Sequence, residues 1–295
     1  MFWKRKKPTS KTVATSDPQF EHAFGRKFIR NSHYSLPVDF EEMNRLDFQH
    51  FVLRLAMRGN YAAPIHNPHA ILDIGSGTGR WGIEMAKVFP KAEVFGVDLV
   101  QPPEGSVTYS DERPPNYHFQ IGNVTESLNF SEHSFDYVHM RLLFSGIPAV
   151  AWPHVVDEMV RVTNIGGWIE SVEALPLRNG GPYQTMMGNW FLQTFQLRGI
   201  DPYIADKIPD MLNSRGISNI SVKKIEVPIG KHGGRLGVLL STDGNAMVKS
   251  LKNLVVSQGL ATEELYDIAV SRVADESNTS HSMQPNVITF GQRIT

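Results

Sequence analysis

The sequence contains no cysteine among its 295 residues. Disulfide bonds, thiolate ligands for zinc and cysteine nucleophiles are therefore excluded. No uninterrupted apolar run approaches the roughly 20 residues that a membrane-spanning helix requires. The formal net charge is only −1 at pH 7, so no overall attraction to nucleic acid or to an anionic membrane is predicted. A cytoplasmic protein is the simplest expectation.

Composition and length are those of a globular protein. Hydrophobic residues make up 41% of the chain, and the length suits one large α/β domain or one domain with an insertion. Residues 1–18 are rich in lysine, serine and threonine, and we predict a disordered basic tail there. No apolar segment follows the charges, so the pattern does not predict a signal peptide. No second basic cluster supports a nucleic-acid signal in this tail.

The most informative part of the chain is a glycine loop between two predicted strands. Ala70–Ile74 is a short apolar run, which predicts a buried strand. Three glycines at alternate positions follow it and allow the backbone to turn sharply and approach a ligand. A helix is predicted over Arg80–Phe89, and a second strand, Ala92–Val97, ends at Asp98. This order is typical of α/β sheets that hold an adenosine, with the acid on the ribose hydroxyls.

Two cofactors compete for this pattern. The segment Gly77–Gly82 can be aligned with the dinucleotide fingerprint G-x-G-x-x-G, but its first glycine then lies three residues beyond the strand. The register that starts at Gly75 places a glycine directly after the strand and gives G-x-G-x-G, with Asp73 near the strand end. This pattern resembles motif I of the class I S-adenosylmethionine-dependent methyltransferases. NAD-dependent oxidoreduction is kept only as an alternative.

The resemblance implies S-adenosyl-L-methionine as the cofactor and S-adenosyl-L-homocysteine as the product. In that family the motif I acid lies near the methionine end of the cofactor and the glycines pass under it. The acid after the second strand binds both ribose hydroxyls. The expected cofactor residues are Tyr34, Asp73, Gly75, Ser76, Gly77, Gly79, Asp98, Leu99, Gly122, Asn123, Val124, Met140 and Arg141.

Three of these residues have alternative interpretations. Asn123 follows a third predicted strand, Tyr117–Ile121, where the family places a polar side chain on the adenine amino group, but Gly-Asn is also a common turn pair. Met140 and Arg141 end a fourth predicted strand, at the edge where open α/β sheets bind ligands. Met140 is then either a pocket residue or a core residue. Arg141 binds the cofactor carboxylate, an acidic substrate or a protein acid such as Glu173.

A helical lid is predicted over residues 19–60. Asp39 and Glu42 form a capping-box pattern, and the apolar residues that follow recur at helical spacing. Gly59 can end this helix in the left-handed conformation. The aromatic residues before Asp39 indicate a segment that packs onto the rest of the protein.

A closer resemblance involves two stretches, Leu36–His50 and Gly166–Glu170. Both are similar to methyltransferases related to the fungal velvet-complex regulators of secondary metabolism, a group that includes many natural-product methyltransferases. The resemblance covers roughly residues 25–175. It implies a small secondary metabolite as substrate and an N-terminal lid over the cofactor, for which the candidates are Phe28, Tyr34, and Gln49 or His50.

Strands and helices alternate along the rest of the chain. The pattern predicts a Rossmann-like α/β fold over residues 61–295, with a seven-stranded, mostly parallel sheet covered by helices on both faces. Apolar residues at helical spacing between about 180 and 216 predict a helical cap inserted after the fifth strand. Helices over Ala246–Ser257 and Glu263–Val273 and a last strand, Asn286–Ile294, complete the prediction.

Methyl transfer from a sulfonium requires an aligned acceptor and exclusion of water. An electron-rich carbon acceptor needs no strong base, whereas a phenol or an amine is helped by one. No catalytic residue is assigned, and the candidates for a base are Glu173, His33, His50 and Tyr183. Glu173 could equally be an exposed acid. The candidate substrate-pocket residues are Phe28, Arg141, Glu173, Tyr183, Met187 and Trp190, with the cap residues providing apolar walls or cation–π contacts.

The predicted function is methyl transfer to a small, largely apolar metabolite, within secondary (natural-product) metabolism. No metal is predicted, because His66 and His69 have neither a thiolate nor an H-E-x-x-H motif beside them. The motif of nucleic-acid amino-methylating enzymes is absent after the fourth strand. A small molecule is the predicted partner, and a homo-oligomer is left open. The alternatives are a protein-directed or regulatory methyltransferase-like interaction module and the NAD-dependent oxidoreductase.

Overall fold

A two-stranded antiparallel hairpin precedes the main domain. The computed structural model describes residues 20–30, 32–102 and 105–294, so the basic tail predicted for residues 1–18 lies outside the described residues. The hairpin consists of β1 (Phe20–Ala23) and β2 (Arg26–Ile29). The predicted lid segment is therefore not helical throughout.

The first helix, α1 (Phe40–Met57), follows the hairpin. The side chain of Asp39 accepts the Glu42 N–H at 3.0 Å, as the capping-box pattern indicates. The prediction for the other end was wrong, because Arg58 and not Gly59 takes the left-handed conformation, with φ 58°. The N–H groups of Arg58 and Gly59 both bond to carbonyls of the last turn, which ends the helix there.

A seven-stranded sheet forms the centre of the domain, and its order is β5-β4-β3-β6-β7-β9-β8. All neighbouring strands are parallel except for the two pairs that include β9. The predicted α/β fold is confirmed. The strands in chain order are β3 (Ala70–Ile74), β4 (Glu93–Asp98), β5 (Tyr117–Ile121), β6 (Phe135–Arg141), β7 (Thr163–Ala174), β8 (Ile217–Pro228) and β9 (Met283–Arg293).

Helices cover both faces of the sheet. Apolar residues of α2 pack on one face and those of α3 and α5 on the other, which produces two separate buried clusters. The remaining helices, α4 and α6 to α8, contribute to a third cluster. The helices in chain order are α2 (Arg80–Val88), α3 (Trp152–Val162), α4 (Pro182–Leu197), α5 (Ile208–Asn213), α6 (Gly234–Ser250), α7 (Lys252–Ser257) and α8 (Glu263–Glu276).

Helix α6 begins well before the predicted start at Ala246. Its first turns contain Gly234, Gly237 and Gly244, and glycine has a low helix propensity. Contacts with α1 and α8 override that propensity. As a result, α6 faces the carboxyl ends of the strands, where the sequence alone placed no element.

The order in which strands are added to the sheet reverses next to β3. From β3 it proceeds to β4 and β5 on one side, and it then returns to β6 on the other side. Ligands of open α/β sheets bind in the crevice at such a switch point, outside the carboxyl ends of the strands. The glycine loop after β3 lies at this crevice.

Gly79, the third glycine of the loop, packs against the protein. Its φ is +80°, and a Cβ atom there would lie 2.4 Å from Thr108 Oγ1 and 2.5 Å from the Tyr117 hydroxyl. Both side chains are buried, and Tyr117 is 0% exposed. Gly79 therefore permits the start of α2 to approach the sheet.

Glu173 holds the loop that follows β6. Its carboxyl group accepts the Leu143 N–H at 3.0 Å and the Phe144 N–H at 3.1 Å. The preceding residue, Leu142, is in the left-handed conformation with φ 55°. Glu173 is 1% exposed, and burial raises its pKa to about 8. The possibility of an exposed acid is therefore wrong: Glu173 is a buried group that positions a loop.

We expect Gly79→Ala to destabilise the protein through steric overlap. Gly199 is a matched control, because its φ is +65° and a Cβ there would meet nothing within 4 Å. Both substitutions place alanine in the unfavourable left-handed conformation. Only the alanine at position 79 also overlaps neighbouring atoms. Gly79→Ala should lower the free energy of unfolding by roughly 1–3 kcal/mol more than Gly199→Ala. Urea denaturation of both variants measures this, and equal losses would contradict the packing role.

The raised pKa of Glu173 predicts a pH dependence of stability. An unfolded glutamate titrates at about 4.3, so the native state binds more protons than the unfolded state from there up to about pH 8. The stabilisation that protonated Glu173 contributes to the folded state is fully present below the unfolded pKa. It is lost as the pH rises through the folded pKa. The difference in unfolding free energy between the wild type and Glu173→Gln should fall by a few kcal/mol, to order of magnitude, across this window. A pH-independent difference would contradict the prediction.

Candidate functional site

A cavity of about 540 Å³ lies at the carboxyl ends of the strands, bordered by α1, α4 and α6. This volume falls within the roughly 300–1,000 Å³ that small-molecule sites occupy. The cavity brings together most of the residues that the sequence analysis assigned to the cofactor. Those that line it are Tyr34, Asp73, Gly75, Ser76, Gly77, Asp98, Leu99, Gly122, Asn123, Val124 and Arg141.

The end of β4 fixes the glycine loop. The N–H groups of Gly75 and Ser76 both donate to the carbonyl of Val97, at 2.8 and 3.0 Å. The Gly77 N–H donates to Asp98 Oδ2 at 2.7 Å. Burial raises the pKa of Asp98, which reflects the cost of an anion at this position. Each carboxylate oxygen can accept a further hydrogen bond.

The space above the loop is open to a ligand. Gly77 has φ +53°, and a Cβ atom there would have only Leu46 Cδ1 within 4 Å, at 3.6 Å. Both residues line the cavity, so the absent side chain leaves a cradle between the loop and α1. A nucleoside beside Asp98 would occupy this cradle. The residues present therefore fit the adenosine portion of the implied cofactor.

Asp73 is held by a buried histidine that the sequence analysis did not identify. His139 Nδ1 lies 2.8 Å from Asp73 Oδ1, across the parallel pair β3–β6. The indole ring of Trp81 stacks on His139 with 3.8 Å between ring centroids and an interplanar angle of 6°. The indole N–H in turn donates to the carbonyl of Asn60 at 2.8 Å. Both residues lie near the carboxyl ends of their strands, and this was the available sequence signal for the pair.

Arg141 and His50 form a second polar group in the cavity. Arg141 Nη2 donates to His50 Nδ1 at 3.0 Å, and His50 Nε2 lies 3.2 Å from Glu84 Oε2. Burial lowers the pKa of His50, and Arg141 acts in the same direction. Within the described part of the chain, no carboxylate forms an ion pair with Arg141, and Glu173 bonds elsewhere. Arg141 therefore presents to the cavity a cation with no direct ion pair, which only the more distant charges of Asp73, Glu84 and Glu170 offset.

Asn123 lines the cavity, but its side chain already has partners in the turn. Its Oδ1 accepts the Thr125 N–H at 3.1 Å and the Thr125 hydroxyl at 2.8 Å, and its Nδ2 donates to Glu126 at 3.1 Å. This geometry is that of an Asx turn. The side chain supports the loop beside the cavity and has limited remaining capacity to accept from an adenine.

Two predicted cofactor residues and one substrate candidate lie elsewhere. Gly79 packs against Thr108 and Tyr117 rather than lining the cavity. Met140 is 0% exposed in the core cluster, so the core interpretation describes it. Glu173 lies beneath the loop after β6 and does not line the cavity. In all three cases tertiary packing places the residue outside the ligand space.

Other candidates from the lid and cap are also outside the cavity. His33 is exposed. Phe28 is buried against a separate cleft beside the hairpin. Tyr183 and Trp190 pack in the cluster of α4 and α8, where the Trp190 ring stacks on Tyr266 at 5.9 Å. Of the cap residues proposed for substrate, only Met187 reaches the cavity.

Beyond the glycine loop the cavity has apolar walls. These come from the loop after β6 and from α4 and α6, and include Phe144, Met187, Phe191, Leu192, Phe195, Leu240 and Met247. Two charged residues, Arg45 of α1 and Asp243 of α6, also line it. Neither residue was among the predicted site residues, and Asp243 was missed because α6 was predicted to begin after it.

Two further features of the described residues concern membranes and metals. Within residues 20–30, 32–102 and 105–294, no helix combines the length and apolar character that crossing a bilayer requires. In the same ranges, no three His, Cys, Asp or Glu side chains form a group that could hold a metal ion.

The sequence and the fold are similar to those of known methyltransferases. A sequence model described as a methyltransferase domain matches residues 71–167. Methyltransferase str3 of Strobilurus tenacellus is 30% identical over 203 residues, 66% of this chain and 70% of str3. Secondary metabolism regulator LAE1 of Cochliobolus heterostrophus is 35% identical over 152 residues, 49% of this chain and 47% of LAE1. The chain thus matches about half the length of that regulator.

A solved structure shares the fold. Haemonchus contortus phosphoethanolamine N-methyltransferase 2, in complex with S-adenosylhomocysteine and phosphomonomethylethanolamine, has a TM-score of 0.52 at 16% identity, over 88% of this chain and 61% of that chain. None of these similar proteins is an oxidoreductase, so the NAD alternative has no support, whereas S-adenosylmethionine is supported as the cofactor. The chain belongs to the class I S-adenosylmethionine-dependent methyltransferases, and about half of it is similar to the secondary metabolism regulator LAE1.

Proposed function

We propose that the protein transfers the methyl group of S-adenosylmethionine to a small, largely apolar metabolite of secondary metabolism. The observation that carries this proposal is one continuous cavity that joins the predicted cofactor residues to an apolar wall. A cavity of about 540 Å³ suits a small molecule beside the cofactor. The name of LAE1 refers to secondary metabolism, which supports the metabolic setting.

Asp98 would hold the ribose of the cofactor. It ends β4 beside the glycine loop, and its Oδ2 is already oriented by the Gly77 N–H at 2.7 Å. An oriented carboxylate accepts two neighbouring hydroxyls well, because hydrogen bonds to charged acceptors are stronger than neutral ones. Leu99 and the segment Gly122–Val124 would flank the adenine.

Arg141 would bind the carboxylate of the methionine portion. A buried cation without an anionic partner is costly, and the hydrogen bond to a neutral His50 compensates it only in part. The carboxylate of the cofactor supplies the missing charge, and a guanidinium can bind it with two parallel hydrogen bonds. Asp73, fixed by His139, lies on the neighbouring strand at the same end of the cavity.

The cofactor, when bound, supplies an activated methyl group. The apolar walls exclude water and align the acceptor, which is the principal task of the protein in this reaction. Of the candidate bases, only His50 lines the cavity. Its Nδ1 accepts from Arg141, so proton removal by His50 would require that hydrogen bond to be released. The geometry therefore favours an acceptor that reacts without a strong base.

The match to LAE1 favours one other function, a protein-directed or regulatory methyltransferase-like module. Incubation with methyl-labelled S-adenosylmethionine and a panel of apolar phenols, amines and activated aromatics separates the two functions. The proposal expects label in small organic products. Cofactor binding with label only in protein, or with no transfer at all, would favour the regulatory module.

Asp98→Ala should strongly weaken cofactor binding, because two charge-assisted hydrogen bonds to the ribose are lost. At 1.5–3 kcal/mol each, this corresponds to a loss in S-adenosylhomocysteine affinity of about a hundredfold or more. Calorimetry measures the affinity, and Asp98→Asn is the control that retains an acceptor for the Gly77 N–H. An affinity of Asp98→Ala within about threefold of the wild type would refute the assigned role.

Arg141→Met should weaken S-adenosylhomocysteine binding about tenfold or more, since one charge-assisted interaction is lost. The matched control is a second ligand, 5′-methylthioadenosine, which has the same adenosine and sulfur but no carboxylate. Its affinity should be unchanged in the variant. If both ligands lose affinity equally, Arg141 supports the site structurally and does not bind the carboxylate.

A further inference from the structure

Asp243 is a buried acid in the wall of the cavity opposite the sheet. It lies on α6, is 5% exposed, and lines the cavity beside Leu240 and Met247. The motif I pattern does not extend to this residue, and the methyl-transfer geometry described above makes no use of it. A carboxylate in such an apolar wall requires an explanation.

Neighbouring side chains neutralise the negative charge of Asp243 only in part. Arg45 Nη1 donates to its Oδ1 at 2.9 Å, and the neutral amide of Gln49 donates to its Oδ2 at 3.2 Å. Arg45 is shared, because it also donates twice to Glu42, at 2.8 and 2.7 Å. Glu42 is 0% exposed and accepts a further hydrogen bond from Ser250 at 2.9 Å.

The wider ionic cluster has an excess of negative charge. Arg26 Nε forms an ion pair with Asp39 Oδ2 at 2.7 Å, and Arg26 Nη2 lies 3.7 Å from Glu42 Oε2. Two arginines, Arg26 and Arg45, thus face the three carboxylates of Asp39, Glu42 and Asp243. Among the described residues no third cation pairs with any of these acids. The exposed Glu41 is not included in this count.

Of the acids in this cluster, Asp243 has fewer partners than Glu42 and lies at the cavity. Glu42 receives two hydrogen bonds from Arg45 and does not line the cavity, whereas Asp243 receives one and does. Burial raises the pKa of Asp243, as expected for an anion with too few partners. Its oxygens retain lone pairs for a donor from the cavity side.

We propose that Asp243 determines substrate specificity by binding a basic amino group of an otherwise apolar acceptor substrate. The amine supplies the positive charge that the cluster lacks, while Leu240, Met247 and Met187 contact the apolar body. This inference rests on the proposed function for the identity of the cavity. It concerns recognition only and leaves the methyl-accepting atom open.

The test uses two ligands of matched shape, tryptamine and 3-propylindole, which differ by an ammonium in place of a methyl group. With S-adenosylhomocysteine at saturation, the wild type should bind tryptamine about tenfold or more tightly than 3-propylindole, the value of one charge-assisted hydrogen bond. Asp243→Asn should reduce this preference to within about twofold. Glu41→Gln, which removes an exposed acid of the same cluster, should leave the preference intact.

Each outcome bears on the inference. Equal binding of the two ligands by the wild type, or no binding of either, overturns it even if Asp243→Asn fails to fold. A tenfold loss of S-adenosylhomocysteine affinity in Asp243→Asn also overturns it, since Asp243 would then serve the ammonium of the cofactor. If the wild type binds no S-adenosylhomocysteine, the proposed function fails. The ligands are then titrated without it, and a tryptamine preference that depends on Asp243 supports recognition of a basic group by Asp243, separately from methyl transfer.

Discussion

The hydrogen bond between the Gly77 N–H and Asp98 determines where a ligand can sit. It joins the glycine loop after β3 to the end of β4 at 2.7 Å, across the switch point of the sheet. The loop can reach Asp98 because Gly77 tolerates φ +53°. The same carboxylate then has free acceptor capacity on the cavity side. Loop geometry and ribose recognition therefore depend on one group, and the rest of the site is arranged around it.

The charges in the cavity follow a consistent principle. Glu173 is bound within the protein, because it accepts two backbone N–H groups and lies outside the cavity. Three charged groups that line the cavity are less fully bound: Arg141 has no direct ion pair among the described residues, and Asp98 and Asp243 keep acceptor capacity on the cavity side. Since uncompensated buried charges are costly, we infer that ligands complete them. A zwitterionic cofactor and a basic substrate have the complementary charges.

The sequence predicted those parts of the site that depend on local spacing. Gly75 and Gly77 lie in the loop directly after β3 and Asp98 ends β4, so the order of strands at the switch point brings them together. Prediction from the sequence failed where the position of a residue depends on packing between distant parts of the chain. From the sequence alone Glu173 could equally be exposed, and it is the loop after β6 that covers it. Asp243 reaches the site only because α6 forms despite its glycines.

The ionic cluster also limits how the cavity can vary. Arg45 and Asp243 tie α6 to α1 as well as facing the ligand space. Removing one partner of a buried pair leaves an uncompensated charge and costs several kcal/mol, roughly 3–5 in measured cases. By contrast, Leu240 and Met247 contribute apolar volume, and volume-conserving exchanges among such residues cost less than about 1.5 kcal/mol. Substrate scope can therefore change through the apolar wall while the preference for a basic group stays fixed by the fold.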